Sequence, residues 1–139
     1  MNANELVPLL LEACPTAKPA WDEHVAFWKP EKRGNFNDIA VFAHHVVDSL
    51  AQGRRDEFPA FFALVEQMIV EGDQDVVALA VLGLIEDIQV IASNSPKMCS
   101  EFQDWLGPKS RQGWLEITAA WEGKESLADV IRAERKRQS

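Results

Sequence analysis

Apolar positions along this chain recur at three- and four-residue intervals almost throughout, and that period belongs to helices. Between Asn37 and Gln52, the residues Ile39, Phe42, Val46 and Leu50 fall on one face. Trp21, Val25 and Trp28 do the same near the start, and Trp114, Ile117 and Trp121 near the end. No stretch alternates with the period of two that a half-buried strand requires, and no Asn-Gly or Asp-Gly pair marks a hairpin.

Punctuation between the periodic stretches sets the helix boundaries. The first helix is expected from Asn4 to Cys14, closed by Pro15, and a second opens near Pro19, which suits a first turn. "KPEKRGN", Lys29 to Asn35, brings Pro, Gly and three bases together and reads as a loop. A third helix follows from about Asn37 to Gln52, with a turn at Gly53, and a fourth from Phe58 to Glu71, stopped by Gly72. "DQD" offers a cap and early acids for the fifth helix, Asp75 to about Ala92, which "SNSP" closes. A shorter helix covers Lys97 to Leu106. Pro108 opens a seventh, and "EGKES" makes the last turn before a terminal helix from Ser126 to Arg135.

Short connections between such helices imply antiparallel neighbours. The predicted fold is all-α: a single-domain antiparallel bundle of about seven to eight helices over residues 1–139, with HEAT-like stacking of helical hairpins. Residues 124–139 form its basic terminal helix, free to fray. No repeat period is legible, so a true solenoid is not implied.

A chain of 139 residues can bury one continuous core. Its longest apolar run, Val76 to Ile85, is too short to span a bilayer. The N-terminal stretch has Glu5 and no basic segment, which argues against a signal peptide and for a cytoplasmic protein. Cys14 and Cys99 stand far apart in no CxxC pattern and read as reduced thiols.

Charge is unevenly distributed. The net charge is −8, and no Lys or Arg occurs from Asp56 to Pro96. Bases gather instead in "IRAERKRQS". An acidic field repels nucleic acid and anionic membranes and attracts a basic partner. The plainer reading is a solvated acidic surface that serves solubility.

Candidate chemistry is sparse. His44 and His45 stand one turn before Asp48, a spacing that can hold a metal or orient an acid–base pair. The Glu-x-x-His tetrad of a di-iron bundle is absent, as are HExxH, Gly-x-Ser-x-Gly, a P-loop and GxGxxG. Cys99 lies near Lys97, which would lower its pKa slightly. Cys14 lies on an apolar face and reads as core. No metal and no cofactor is implied, and the chain is read as a non-enzyme.

Glu86 and Asp87 sit side by side in "VLGLIEDIQVIASN", the most apolar part of the chain. On a helical wheel Glu86 falls with Leu79, Gly83 and Val90, and Asp87 nearer Ala80 and Ile91. Both faces are apolar, so this helix is expected to be sandwiched. Buried carboxylates need partners. Arg111, Lys109 and the indole N–H groups are the nearest supply in sequence, so Glu86, Asp87, Arg111 and Trp114 are assigned to a polar-aromatic lock between helices.

"ALAVLGLIEDIQVIASN" followed by "FQDWLGPKSRQGWLEITAAWEGK" resembles a largely uncharacterised family of small bacterial α-helical proteins. In that family an apolar helix ends in a Leu-Glu-Asp-Leu-Gln-Asn-type segment. A Leu-Gly-Pro-x-[Ser/Thr]-Arg-x-x-Trp segment and a Trp-x-Gly follow it. The resemblance covers about Val65 to Lys124 and places Glu86, Asp87, Gln89, Gly107, Pro108, Arg111, Trp114, Trp121 and Gly123 on the pattern. It departs at Val90, where the family often carries Asn. Such families resemble immunity proteins encoded beside polymorphic or contact-dependent toxins, and the resemblance implies that role.

The sequence therefore leads to a cytoplasmic immunity protein that occludes a cognate toxin with a basic surface, and binds neither nucleic acid nor membrane. Its partner-facing acids are expected to be Asp48, Asp56, Glu57, Glu66, Glu71, Asp73 and Asp75, chosen on charge and expected exposure. The rival from another class is a helical adaptor that binds a peptide or partner helix. A third is a small metal-dependent enzyme using His44, His45 and Asp48.

Overall fold

The computed structural model describes residues 1–29 and 34–138, with side chains through Gly123. Among these residues all regular structure is helical, in seven consecutive rods. A 3₁₀ turn at Ala3–Glu5 leads into α1, Leu6–Ala13, and a second at Pro15–Ala17 into α2, Lys18–Trp28. Then come α3, Asn35–Ala51, and α4, Phe58–Glu71. The central rod joins α5, Gln74–Ala78, a π-helical segment, Leu79–Ile85, and α6, Glu86–Ile91. The chain ends in α7, Pro96–Trp105, and α8, Pro108–Gln138.

Most boundaries lie where Pro, Gly and capping residues put them. Asn2 accepts from the Asn4 N–H at 3.1 Å, and Glu5 returns a bond from the Asn2 N–H, closing a capping box. Asp73 caps α5 by accepting from the Val76 N–H at 2.9 Å, and Ser95 caps α7 through the Met98 N–H at 3.2 Å. Of the loop expected at Lys29 to Asn35, positions 30–33 lie outside the described residues, and Asn35 already begins α3.

Two boundaries differ from expectation. No turn forms at "EGKES": α8 runs unbroken from Pro108 to Gln138. Gly123 is the only helix breaker there, and one exposed glycine costs a helix about 1 kcal/mol without ending it. The central rod is also not uniformly α-helical. Its π-helical segment lies where α3, α4 and α8 all pack against it. Gly83 lets α3 approach, since a Cβ there would stand 3.1 Å from Ile39 Cγ2. The sandwich expected for this helix is thus its actual position.

The core forms around that rod. Ile39, Phe42, Val46 and Leu50 of α3 are all buried, as are Leu79, Ala80, Leu84, Ile85 and Ile88 opposite them. On the other side Phe58 meets Phe62 and Trp105 edge-on, with centroids 5.5 Å apart in each pair, while Phe102 lies tilted against Phe58 and Phe62. This aromatic cluster fastens α7 to α4. Among the described residues no helix is long and apolar enough to cross a membrane.

Candidate functional site

The seven acids expected on one partner-facing surface divide into two groups. Asp48, Asp56, Glu71, Asp73 and Asp75 are exposed. Glu57 and Glu66 are half-buried and taken up by internal contacts. They are also nine positions apart, which turns them to opposite sides of a helix, about 180° at ~100° per residue. One continuous acidic face through all seven is therefore not what the chain presents.

Glu66 holds the start of α8. Its Oε1 accepts from the Ser110 N–H and the Ser110 hydroxyl, each at 2.9 Å, and its Oε2 from the Lys109 N–H at 3.0 Å. Burial pushes this carboxyl up, but the N–H groups of Ser110 and Lys109, the Ser110 hydroxyl and the Lys109 charge outweigh it and hold it below the usual range. Glu57 does similar work near α1. It accepts from the Thr16 hydroxyl and, at 3.1 Å, from the Thr16 N–H, while His45 Nε2 lies 2.8 Å from the same hydroxyl oxygen. Burial again raises the carboxyl, and the Thr16 and His45 contacts bring it below its ordinary value.

The expected lock is built differently. Among the described residues, neither Glu86 nor Asp87 pairs with Arg111 or an indole N–H; Arg111 is exposed and donates to the Gln103 carbonyl at 2.7 Å. Asp87 is half-buried, and burial raises its carboxyl above the usual range, with His44 pulling down and Glu86 pushing up. The joint between the central rod and α8 is made instead by Gln89, whose Nε2 donates to the Trp114 carbonyl at 3.0 Å and to the Thr118 hydroxyl at 3.2 Å. Trp114 keeps its place in the joint through its backbone. The sequence signal for Gln89 is an amide between Ile88 and Val90, two positions beyond Asp87.

The histidines scatter. His24 meets Asp38 at 2.9 Å, His45 turns to Thr16 and Glu57, and His44 is exposed beside Asp87. Among the described residues no group of three or more His, Cys, Asp or Glu could hold a metal ion. Cys14 and His45 line one small cavity of about 40 Å³, near the size of a single water site. Burial, helped by Glu57, pushes the Cys14 thiol up to about 12, which disfavours its thiolate form. Cys99 is also raised by burial, the opposite direction from the lowering expected from Lys97.

Two larger concavities remain. The first, about 470 Å³, lies between α4, the central rod and α8, with Ile69, Val70, Val77 and Val81 as its floor and Lys109 and Glu116 among its walls. Gly113 is buried against Val81, so α8 lies close to the groove floor. Val70 is 64% exposed, the one exposed apolar side chain of this lining. The turn that joins Val70 to Val77 carries Glu71, Asp73 and Asp75, all exposed. The second concavity, about 340 Å³, lies between α6, α7 and α8 and includes Gln89, Cys99, Trp114 and Trp121.

Residues 7–122 match the family described as a domain of unknown function, DUF7674. The chain belongs to this family. The match contains both concavities and nearly all of the segment on which the resemblance to small bacterial helical proteins rests. Neither the curated proteins nor the solved structures contain a match to the chain.

Proposed function

We propose that this member of DUF7674 is a protein-binding module that acts as an immunity protein, occluding a cognate bacterial toxin through a basic, amphipathic segment of that toxin. The observation that carries the reading is the groove between α4, the central rod and α8. Its lining exposes Val70 and includes Lys109 and Glu116, and the stretch that joins its lining residues Val70 and Val77 carries the exposed acids Glu71, Asp73 and Asp75. Acids at a rim steer a basic partner and speed its capture, while an apolar floor slows its escape. Occlusion needs no catalytic group on this chain. Of the acids named from sequence, Glu71, Asp73 and Asp75 lie on the stretch that joins two of the groove's lining residues, Val70 and Val77; Asp48 and Asp56 belong to other segments, and Glu57 and Glu66 serve the fold.

The resemblance to proteins encoded beside toxins supports the immunity role, and the groove supports a second reading as well. An apolar channel between helices also suits an adaptor that holds a partner helix. Co-expression with the product of the neighbouring gene separates the two. Immunity predicts that this product arrests growth, that the chain relieves the arrest, and that Val70→Arg abolishes relief without lowering the melting temperature. Binding without any growth arrest would favour the adaptor. Relief that survives both Val70→Arg and charge reversal at Glu71 and Asp75 would place the interface elsewhere.

A further inference from the structure

The groove between α4, the central rod and α8 is lined on one side by Lys109, Gln112, Gly113 and Glu116 of α8. Steps of three and four positions keep to one face of a helix. From Gln112 such steps run through Glu116, Ala120 and Gly123 to Leu127 and Val130. The face of α8 that walls the groove therefore continues, farther along the helix, into apolar positions. Leu127, Val130 and Ile131 stand at i, i+3 and i+4, the pattern of an amphipathic helix. Arg132, Arg135, Lys136 and Arg137 follow, against a single acid, Glu134. The distal part of α8 is thus itself a basic amphipathic segment, the kind this groove is read as accepting.

It does not reach the groove of its own chain, because α8 runs unbroken from Pro108 to Gln138. Val130 lies 14 positions beyond Glu116, which at ~1.5 Å per residue carries it about 21 Å farther along the helix. A second copy has no such restriction. Two α8 helices laid antiparallel about a two-fold axis near Ala120 set position 127 of each opposite Gly113 of the other, and both contacts form at once. Small residues stand at that crossing. Ala119, Ala120 and Gly123 are exposed, and a Cβ added at Gly123 would meet nothing within 4 Å. Two backbones can approach closely there.

Charge favours the same match. No Lys or Arg occurs from Asp56 to Pro96, the span that supplies the α4 and central-rod walls of the groove. Exposed Glu71, Asp73 and Asp75 lie between its lining residues Val70 and Val77. A basic stretch arriving from another copy meets opposite charge, whereas two such stretches laid side by side repel.

We infer that this groove is occupied by a second copy of the chain: residues 124–138 of each α8 lie in the groove of the other, in a two-fold dimer. The inference rests on reading the groove as a seat for a basic amphipathic segment, and a toxin's segment then has to displace the one already there.

Sedimentation velocity of the full chain is the test. The natural chain should sediment as a dimer at about 100 μM. Raising salt from about 50 mM to 500 mM should weaken that dimer at least about tenfold. Leu127→Asp on α8 and Val70→Arg in the groove should each weaken it by at least about tenfold, with helix content by circular dichroism unchanged. Gly123→Gln meets no neighbour within its own chain and suits an isolated helix better than glycine, yet it should crowd the crossing and weaken the dimer as well. A natural chain that is monomeric at about 100 μM, or a dimer indifferent to all three substitutions, overturns the inference. Either result leaves the toxin reading to its own growth assay. Growth relief that survives Val70→Arg and the charge reversal counts against the toxin interface, while a dimer that Val70→Arg dissociates still supports the pairing of copies.

Discussion

Glu66 on α4 and Ser110 on α8 are joined twice through one oxygen, by the serine N–H and by its hydroxyl. Gly107 stands close enough that a Cβ there would come within 2.6 Å of the same Oε1. The Gly-Pro pair before α8 is thus a seat for a carboxylate delivered from 44 residues away. Glu66→Ala removes a helix cap and strands the fully buried Ser110 hydroxyl. It should destabilise the protein by about 1–3 kcal/mol in urea titration, and Gly107→Ala should cost stability through the same contact.

That carboxyl also carries a pH signature. Its folded-state value lies below the ordinary one, so between the two values the unfolded chain binds more protons. The stability it contributes is complete above the unfolded value and is lost as pH falls through the folded one. Glu66→Gln should therefore flatten the acid limb of the stability curve, measured by urea midpoints at successive pH values.

Asp87 has the opposite sign. Its carboxyl is raised by burial, so its charged form opposes folding, and the folded chain keeps its proton to higher pH than the unfolded one does. Stability falls as pH rises through the raised value. Asp87→Asn should leave the melting temperature unchanged or higher at neutral pH, with the difference shrinking in acid. A large loss on this substitution would reveal a partner of the kind first expected for it.

The Thr16 side chain links the turn after α1 to both His45 and Glu57. Thr16→Val keeps the shape and removes the shared hydroxyl, and should cost about 1 kcal/mol. The same variant should bring the Glu57 carboxyl up toward ordinary values, because a contact holding it down is gone. Carbon-detected NMR titration of the carboxyl groups would show it.

The helices were legible because their apolar spacing and their stops are local. Ile39, Phe42, Val46 and Leu50 announce a buried face, and Pro108 or Gly72 marks an end within one or two residues. The π-helical segment was not legible, since it arises where three helices press on one and Gly83 meets Ile39 across the core. Charge misled for a related reason. Nothing near Glu57 or Glu66 in sequence says that N–H groups 41 and 43 positions away wait for them, so both read as surface acids. Gln89 falls on the family pattern, but a neutral amide close to two carboxylates carries no sign in sequence that it bridges to the Trp114 carbonyl and the Thr118 hydroxyl.

The most direct test of the partner-binding account is the association rate between this protein and the product of the neighbouring gene as salt is varied. If the acids of the α4–α5 turn steer a basic segment into the groove, association should slow by at least about tenfold between about 50 mM and 500 mM salt, with dissociation changing less. Asp73 is a helix cap, so the variant of choice is Glu71→Lys with Asp75→Lys, which should slow association at low salt and flatten its salt dependence while leaving the melting temperature intact. An association rate that ignores both salt and these two substitutions would contradict the account.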